Sequence, residues 1–145
     1  MHYENARPTV ELALLHNNKL LITKRGIEPR KGFYDMPGGF TDLHETLEQA
    51  LLREVKEELG LDTSDISTPQ FLLSFNGPYP FGPEVLRSLV SVFYATLNST
   101  KKLVAQDDVA EIRWIRKDEV DEIPWALPVH RENALKAFEL LSAQS

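Results

Sequence analysis

The chain has 145 residues, 42% hydrophobic and 26% charged, with a net charge of −6 and no cysteine. That length suits one domain, residues 1–145, with a core large enough to be stable alone. The acidic balance argues against polymeric nucleic acid held by counterion release, the missing cysteine excludes disulfides and thiolate metal sites, and no apolar run is long enough to span a membrane.

The start, Met1-His2-Tyr3-Glu4-Asn5, lacks the basic and apolar regions of a signal peptide, so the expected location is cytoplasmic. Thr9 to His16 is apolar and β-prone, Asn17-Asn18 reads as a tight turn, and Leu20 to Thr23 reads as a returning strand. Gly26 to Gly32 reads as an exposed loop, and Pro37-Gly38-Gly39 as a second break. A helix follows, from Thr46 to a stop at Gly60, because Thr46 and Gln49 make a capping-box pattern. Gln70 to Phe75 is a strand, and Asn76 to Pro83, rich in proline and glycine, is expected to be mostly loop. Ser88 to Leu97 and Glu111 to Ile115 are further strands. The last helix is placed at Arg131 to Ser142, with Ala134, Leu135, Phe138 and Leu141 packing on one side. Strands on both sides of a central helix, with another helix at the end, point to an α/β fold with a mixed sheet covered by helices.

The central helix carries the chemical argument. At about 100° per residue, Leu47, Ala50, Leu51 and Val55 form one apolar arc. Glu54 and Glu58 fall inside that arc and Glu57 lies at its edge. Burying an ionised carboxylate costs roughly several kcal/mol unless it is paired or binds a metal. Three glutamates at these spacings also repel one another. A hard divalent cation such as Mg²⁺ would relieve both. The plain alternative is a solvated charged face with Arg53 and Lys56 as partners.

The spacing around this helix is informative. Gly39 is followed by five residues and Glu45, and seven more lead to Arg53-Glu54-Val55-Lys56-Glu57-Glu58-Leu59-Gly60-Leu61, with Leu51 at an apolar position. This segment resembles the Nudix box at every defined position. His44 stands where many members of that family carry glycine, outside those positions. The resemblance implies a Nudix-like α/β/α sandwich and a hydrolase that cleaves a diphosphate linkage in a nucleotide-like substrate. It implies metal binding by Glu54 and Glu58, with Glu57 either a ligand or a support, and by the backbone carbonyl of Gly38. Glu45 and Arg53 match the pair that braces the loop against the helix. The implied cofactor is Mg²⁺, with Mn²⁺ as the alternative. The general base varies in this family. Asp108 matches one location for it, Glu111 is a second candidate, and Glu54 and Glu57 are also counted among the catalytic residues.

Substrate choice rests on less. Pro78-Tyr79-Pro80-Phe81 resembles an aromatic, proline-rich motif of NADH pyrophosphatases, with Tyr79 where that motif has Trp and Gly82 where it has Pro. Tyr79 is therefore a candidate stacking residue. Arg25, in a basic stretch with Lys24, Arg30 and Lys31, is a candidate phosphate contact. Tyr34 takes a place where many members carry Trp. The histidines show no metal-ligand spacing and are assigned no chemistry. Trp114 and Trp125 read as core or interface anchors rather than substrate contacts. The favoured substrate is a nucleoside diphosphate derivative like NADH or ADP-ribose. A nucleoside triphosphate is the alternative, and a Nudix-fold module that senses a nucleotide without cleaving it is the rival. The expected partner is a small molecule, with no membrane, and a homodimer is one option the resemblance carries.

Overall fold

The computed structural model describes residues 5–28, 30–79, 86–99 and 101–143. Among the described residues seven strands and two α-helices follow in chain order: β1 (Arg7–His16), β2 (Lys19–Arg25), β3 (Tyr34–Asp35), β4 (Gly38–Phe40), α1 (Leu47–Leu59), β5 (Gln70–Tyr79), β6 (Leu86–Thr96), β7 (Val109–Ile115) and α2 (Pro128–Ala143). The first hairpin turns on Asn17 and Asn18, both at positive φ, 51° and 62°. Asparagine tolerates this conformation, which matches the twist of the flanking strands.

β1 organises the sheet. One edge pairs in parallel with β6 from Arg7 to Leu15. The other edge is shared: β4 lies antiparallel to Thr9–Glu11, and β2 lies antiparallel to Leu15 and His16. Between them Leu12 N–H donates to the Pro37 carbonyl at 2.9 Å. The sheet therefore forks, and the fork leaves room for the Gly38–Phe40 strand. β7 and β3 continue from β2, and β5 continues from β6.

Alternation along β1 sends side chains to two different cores. Val10, Leu12 and Leu14 pack with Ala50, Leu51, Val55 and Leu59 of α1. Ala13 and Leu15 pack with Ala134, Ala137 and Phe138 of α2, which with Val120 and Ile123 covers the opposite face. The architecture is an α/β/α sandwich on a mixed sheet, as the family resemblance implied. Tyr34 is a buried member of the second core, and Trp125 packs against it while its indole N–H donates to the Val120 carbonyl at 3.0 Å. Trp114 packs on the first core and tilts against His16.

Helix α1 is delimited as its sequence dictates. Thr46 Oγ1 accepts from Gln49 N–H, Gln49 Oε1 accepts from Thr46 N–H, and Gly60 ends the helix in the left-handed conformation at φ 71°.

Two segments differ from expectation. Asn76 and Gly77 belong to β5, which continues to Tyr79 rather than opening into a loop at Asn76, because β6 is long enough to pair with it through Tyr79↔Leu86. β5 is the sheet edge, where Pro78 is tolerated. Residues 80–83, the rest of that expected loop, lie outside the described residues. Helix α2 begins at Pro128, ahead of Arg131. Proline has the φ that a first helical turn requires and no N–H to leave unpaired, so here it opens a helix.

Candidate active site

The carboxyl half of α1 faces β4. Glu58 is buried and Glu54 nearly so, one helical turn away, with 13% of its side chain exposed. Glu58 Oε1 accepts from Gly38 N–H at 3.2 Å. The two carboxyl groups also act on each other, Glu58 drawing the Glu54 pKa down and Glu54 pushing that of Glu58 up, as in a pair that shares one proton. Burial and the neighbouring Glu54 push the Glu58 pKa up to about 9, against the pull of the Gly38 amide. Burial raises Glu54 too, and the Glu57 charge adds to this, while Glu58 and Arg53 hold it down. These are two groups that cannot both ionise cheaply.

Arg53 is the hub beside them. Its guanidinium donates to Glu45 at 2.7 and 2.9 Å, to the Phe40 carbonyl at 3.0 Å, to Glu54 at 3.0 Å and to Glu57 at 3.3 Å. Glu45 in turn accepts from Asp42 N–H at 2.8 Å. One side chain thus ties the loop after β4 to the helix through a rigid fork of donors.

The glycines of β4 permit this packing. A Cβ on Gly38 would stand 2.0 Å from the Val10 carbonyl oxygen, and one on Gly39 would stand 2.6 Å from Glu54 Oε1. Backbone therefore comes directly against the carboxylate pair. The donor set is all oxygen, crowded and short of neutralising charge, which fits a hard divalent ion that keeps several waters. Among the described residues no group of three His, Cys, Asp or Glu side chains is already gathered closely enough to hold a metal. Glu57, about half exposed, is turned to Arg53. The fit rests on Glu54, Glu58 and the close backbone.

Two clefts meet at β4. One, of about 380 Å³, is lined by Glu54, Glu57, Glu58, Arg53, Arg25, Lys24 and Asp108. The other, of about 510 Å³, lies on the α2 side and is mostly apolar, with Met36, Phe40, Phe75, Val90 and Leu127 among its walls. Arg25, Asp35, Met36 and Gly38, Gly39 and Phe40 line both. A ligand with a polyanionic middle and an aromatic end matches such a pair of adjoining clefts.

The NUDIX domain family model matches residues 6–138. The chain belongs to the NUDIX domain family. It is 28% identical over 123 residues to the NAD-capped RNA hydrolase NudC of Salmonella heidelberg, an alignment covering 85% of this chain and 44% of that protein. It therefore spans less than half the length of that curated relative. The NUDIX domain of Shewanella oneidensis NrtR, solved with ADP ribose, superposes with a TM-score of 0.77 at 25% identity, over 96% of this chain and 90% of that one. A bifunctional NMN adenylyltransferase/ADP ribose pyrophosphatase from Francisella tularensis, solved with AMP and a manganese ion, shares the fold with a TM-score of 0.69 at 23% identity, over 98% of this chain and 42% of that one.

Gly38, just ahead of the Nudix box, and the box residues Arg53, Glu54, Glu57 and Glu58 line one cleft, and Glu45 is tied to it through Arg53. Lys56, the other cation of the solvated-face alternative, pairs instead with Asp62 at 3.4 Å. Arg25 reaches the same cleft, although it is ion-paired with Asp35 at 3.2 Å. Asp108 lines the rim and its carbonyl accepts from Gly26 N–H at 2.9 Å. Glu111 pairs with Lys24 at 3.7 Å and is not among the lining residues. Tyr79 ends β5; its side chain, and residues 80–82 of the aromatic motif, lie outside the described residues. Arg30 and Lys31 are exposed and line neither cleft.

Sequence reading missed Glu11, Asp35 and His130, which meet at the floor of the larger cleft. His130 Nε2 lies 3.3 Å from Glu11 Oε1, and His130 Nδ1 accepts from Leu127 N–H at 3.2 Å. Burial alone disfavours a charged His130, but attraction and hydrogen bonding from Glu11, with the charge of Asp35, outweigh it and raise its pKa. Asp35 is raised chiefly by burial, with Glu11 adding to it. One signal was available: Glu11 is the only charge in the apolar run Thr9 to Leu15.

Proposed function

We propose that this domain, formed by residues 1–145, catalyses metal-dependent hydrolysis of a diphosphate linkage in a nucleoside diphosphate derivative, with NADH- or ADP-ribose-like compounds favoured over nucleoside triphosphates. The observation that carries this reading is the buried Glu54–Glu58 pair against Gly38 and Gly39, at the junction of a charged cleft and an apolar one. Glu54 and Glu58, with Glu57 and the Gly38 backbone, would hold Mg²⁺ or Mn²⁺. When bound, such an ion supplies positive charge that polarises a phosphoryl oxygen and acidifies a water molecule.

The chain's own groups account for the rest. Arg25, which lines both clefts, would meet the diphosphate. Asp108 at the rim is the candidate to orient or deprotonate water. Arg53 and Glu45 keep the loop and the helix in register, so the carboxylates stay aimed at the cleft. The apolar cleft would take one ring and keep water from it. The net charge of −6 favours a small substrate over a polymer. The relatives named for NAD-capped RNA and the neighbour holding ADP ribose support a diphosphate joined to a nucleoside.

The test is hydrolysis of NADH, ADP-ribose, other nucleotide sugars and nucleoside triphosphates, with Mg²⁺ and with EDTA. The expected result is cleavage of a dinucleotide or nucleotide sugar that EDTA abolishes. No cleavage of any member would overturn the reading and leave a nucleotide-sensing module.

A further inference from the structure

The larger cleft has at its floor a carboxylate that the fold leaves half satisfied. Glu11 Oε1 is engaged by His130, but Glu11 Oε2 is buried and has no hydrogen-bond partner among the described residues. An unsatisfied buried acceptor is costly, and in native proteins it calls for an explanation. Its orientation is not accidental. His130, only 5% exposed, takes the Leu127 N–H on Nδ1, so in the neutral ring the hydrogen sits on Nε2 and is donated to Glu11. Leu127, Pro128, Val129 and His130 all line the cleft, so the start of α2 brings His130 to Glu11. The last torsion of a glutamate is soft. A small turn presents Oε2 to the cavity that Glu11 already lines, while Oε1 stays with His130.

We propose that Glu11, held by His130, is a specificity-determining acceptor that reads an exocyclic NH₂ group on the ring seated in this cavity. The placing of a ring there rests on the diphosphatase reading above. A carboxylate offers acceptors only, so it favours a donor and rejects an oxo or carboxylate group in the same place. Two rings of the favoured substrates carry such a group: adenine, through its 6-amino group, and nicotinamide, through its carboxamide. His130 is a positioning residue, acting through Glu11.

Binding of nucleoside monophosphates tests this without any hydrolysis. Calorimetry would compare AMP with IMP, and nicotinamide mononucleotide with nicotinic acid mononucleotide, on the intact chain with Mg²⁺. The expected result is a preference of about tenfold or more for the NH₂ member of one pair, the size of one charge-assisted hydrogen bond, and the pair that shows it names the ring. In Glu11→Gln the amide oxygen keeps the His130 hydrogen bond and the amide NH₂ replaces Oε2. A donor then stands where an acceptor stood, so the preference reverses. In His130→Phe the preference shrinks without reversing.

Equal affinity within each pair, no binding of any of the four, or an unchanged preference in a folded Glu11→Gln would overturn the proposal. Should Glu11→Gln not fold, the two wild-type pairs decide alone. Cleavage without discrimination sinks this inference only, and discrimination without cleavage sinks the hydrolase reading only.

Discussion

The two clefts on either side of β4 bury carboxylates in opposite ways. Against α1, Glu58 has a second carboxyl group, Glu54, as its neighbour and one backbone N–H as a donor. Against α2, Glu11 has an imidazole, itself fixed by a backbone amide. The first arrangement is unstable by its own charges and becomes comfortable only when a proton or a cation is supplied. The second has its charge balanced by the fold itself, yet among the described residues one oxygen is left without a hydrogen-bond partner. Both sit on the same piece of sheet, since Glu11 and Gly38 are register partners. Like charge crowded together marks a place for a cation; charge paired and aimed marks a place for reading a donor.

The sharpest way to break this contrast is to neutralise one member of each pair. Glu58→Gln should lower turnover on the order of 1,000-fold, because it removes a carboxylate that would hold the divalent ion whose positive charge stabilises the reacting phosphate. Steady-state rates on the best substrate of the panel would measure it, and wild-type turnover would sink the metal-site reading. In EDTA the same variant, relieved of the carboxyl crowding by the substitution, should melt at or above the wild-type temperature. His130→Leu should do the reverse. It leaves Glu11 buried with no donor and should cost about 3 kcal/mol in urea unfolding, and a neutral result there would show that the Glu11–His130 contact is dispensable.

Arg53→Ala should fall between these effects. It deletes charge-assisted bonds to Glu45 and the bond to the Phe40 carbonyl. About 2 kcal/mol of stability should go with them, together with much of the activity, since the loop after β4 loses its tie to the helix. Unchanged stability would mean that Glu45 holds the loop through Asp42 alone.

The charged cleft was legible in the sequence, and the other was hardly legible at all. A helix places residues at fixed angles, so spacing alone set Glu54 and Glu58 in the apolar arc, and the resemblance of the contiguous box implied the bracing role of Arg53. The capping box and Gly60 marked the helix ends for the same reason. Glu11 and His130 are 119 positions apart, and no local pattern joins them. Their meeting depends on which face of β1 looks toward α2, and on Pro128 opening that helix rather than breaking the chain. β5 was read too short because its last residues are held by pairing with β6, a non-local cause that outweighs their loop-like composition.

The dependence on pH sharpens the contrast most cleanly. Glu58 has a pKa of about 9 in the folded protein against an ordinary 4.5. Between those values the folded state holds a proton that the unfolded chain has released. Stability of the metal-free protein therefore falls as pH rises through this window, by at most about 1.4 kcal/mol per pH unit for one proton. Glu54, raised in the same direction and sharing that proton, makes the titration a property of the pair. Glu45, Asp65 and Glu119 are lowered instead, so their contributions change below the ordinary carboxylate range and leave the window untouched. Raised His130 adds a slope of the same sign as Glu58, so wild type alone cannot separate the two clefts. The difference between wild type and Glu58→Gln can. Urea midpoints from pH 5 to 9 in EDTA should converge at the acid end and diverge toward the alkaline end, with the variant the more stable. Parallel lines would mean that Glu58 carries no extra proton, and that the crowded pair is relieved by something other than protonation before any cation arrives.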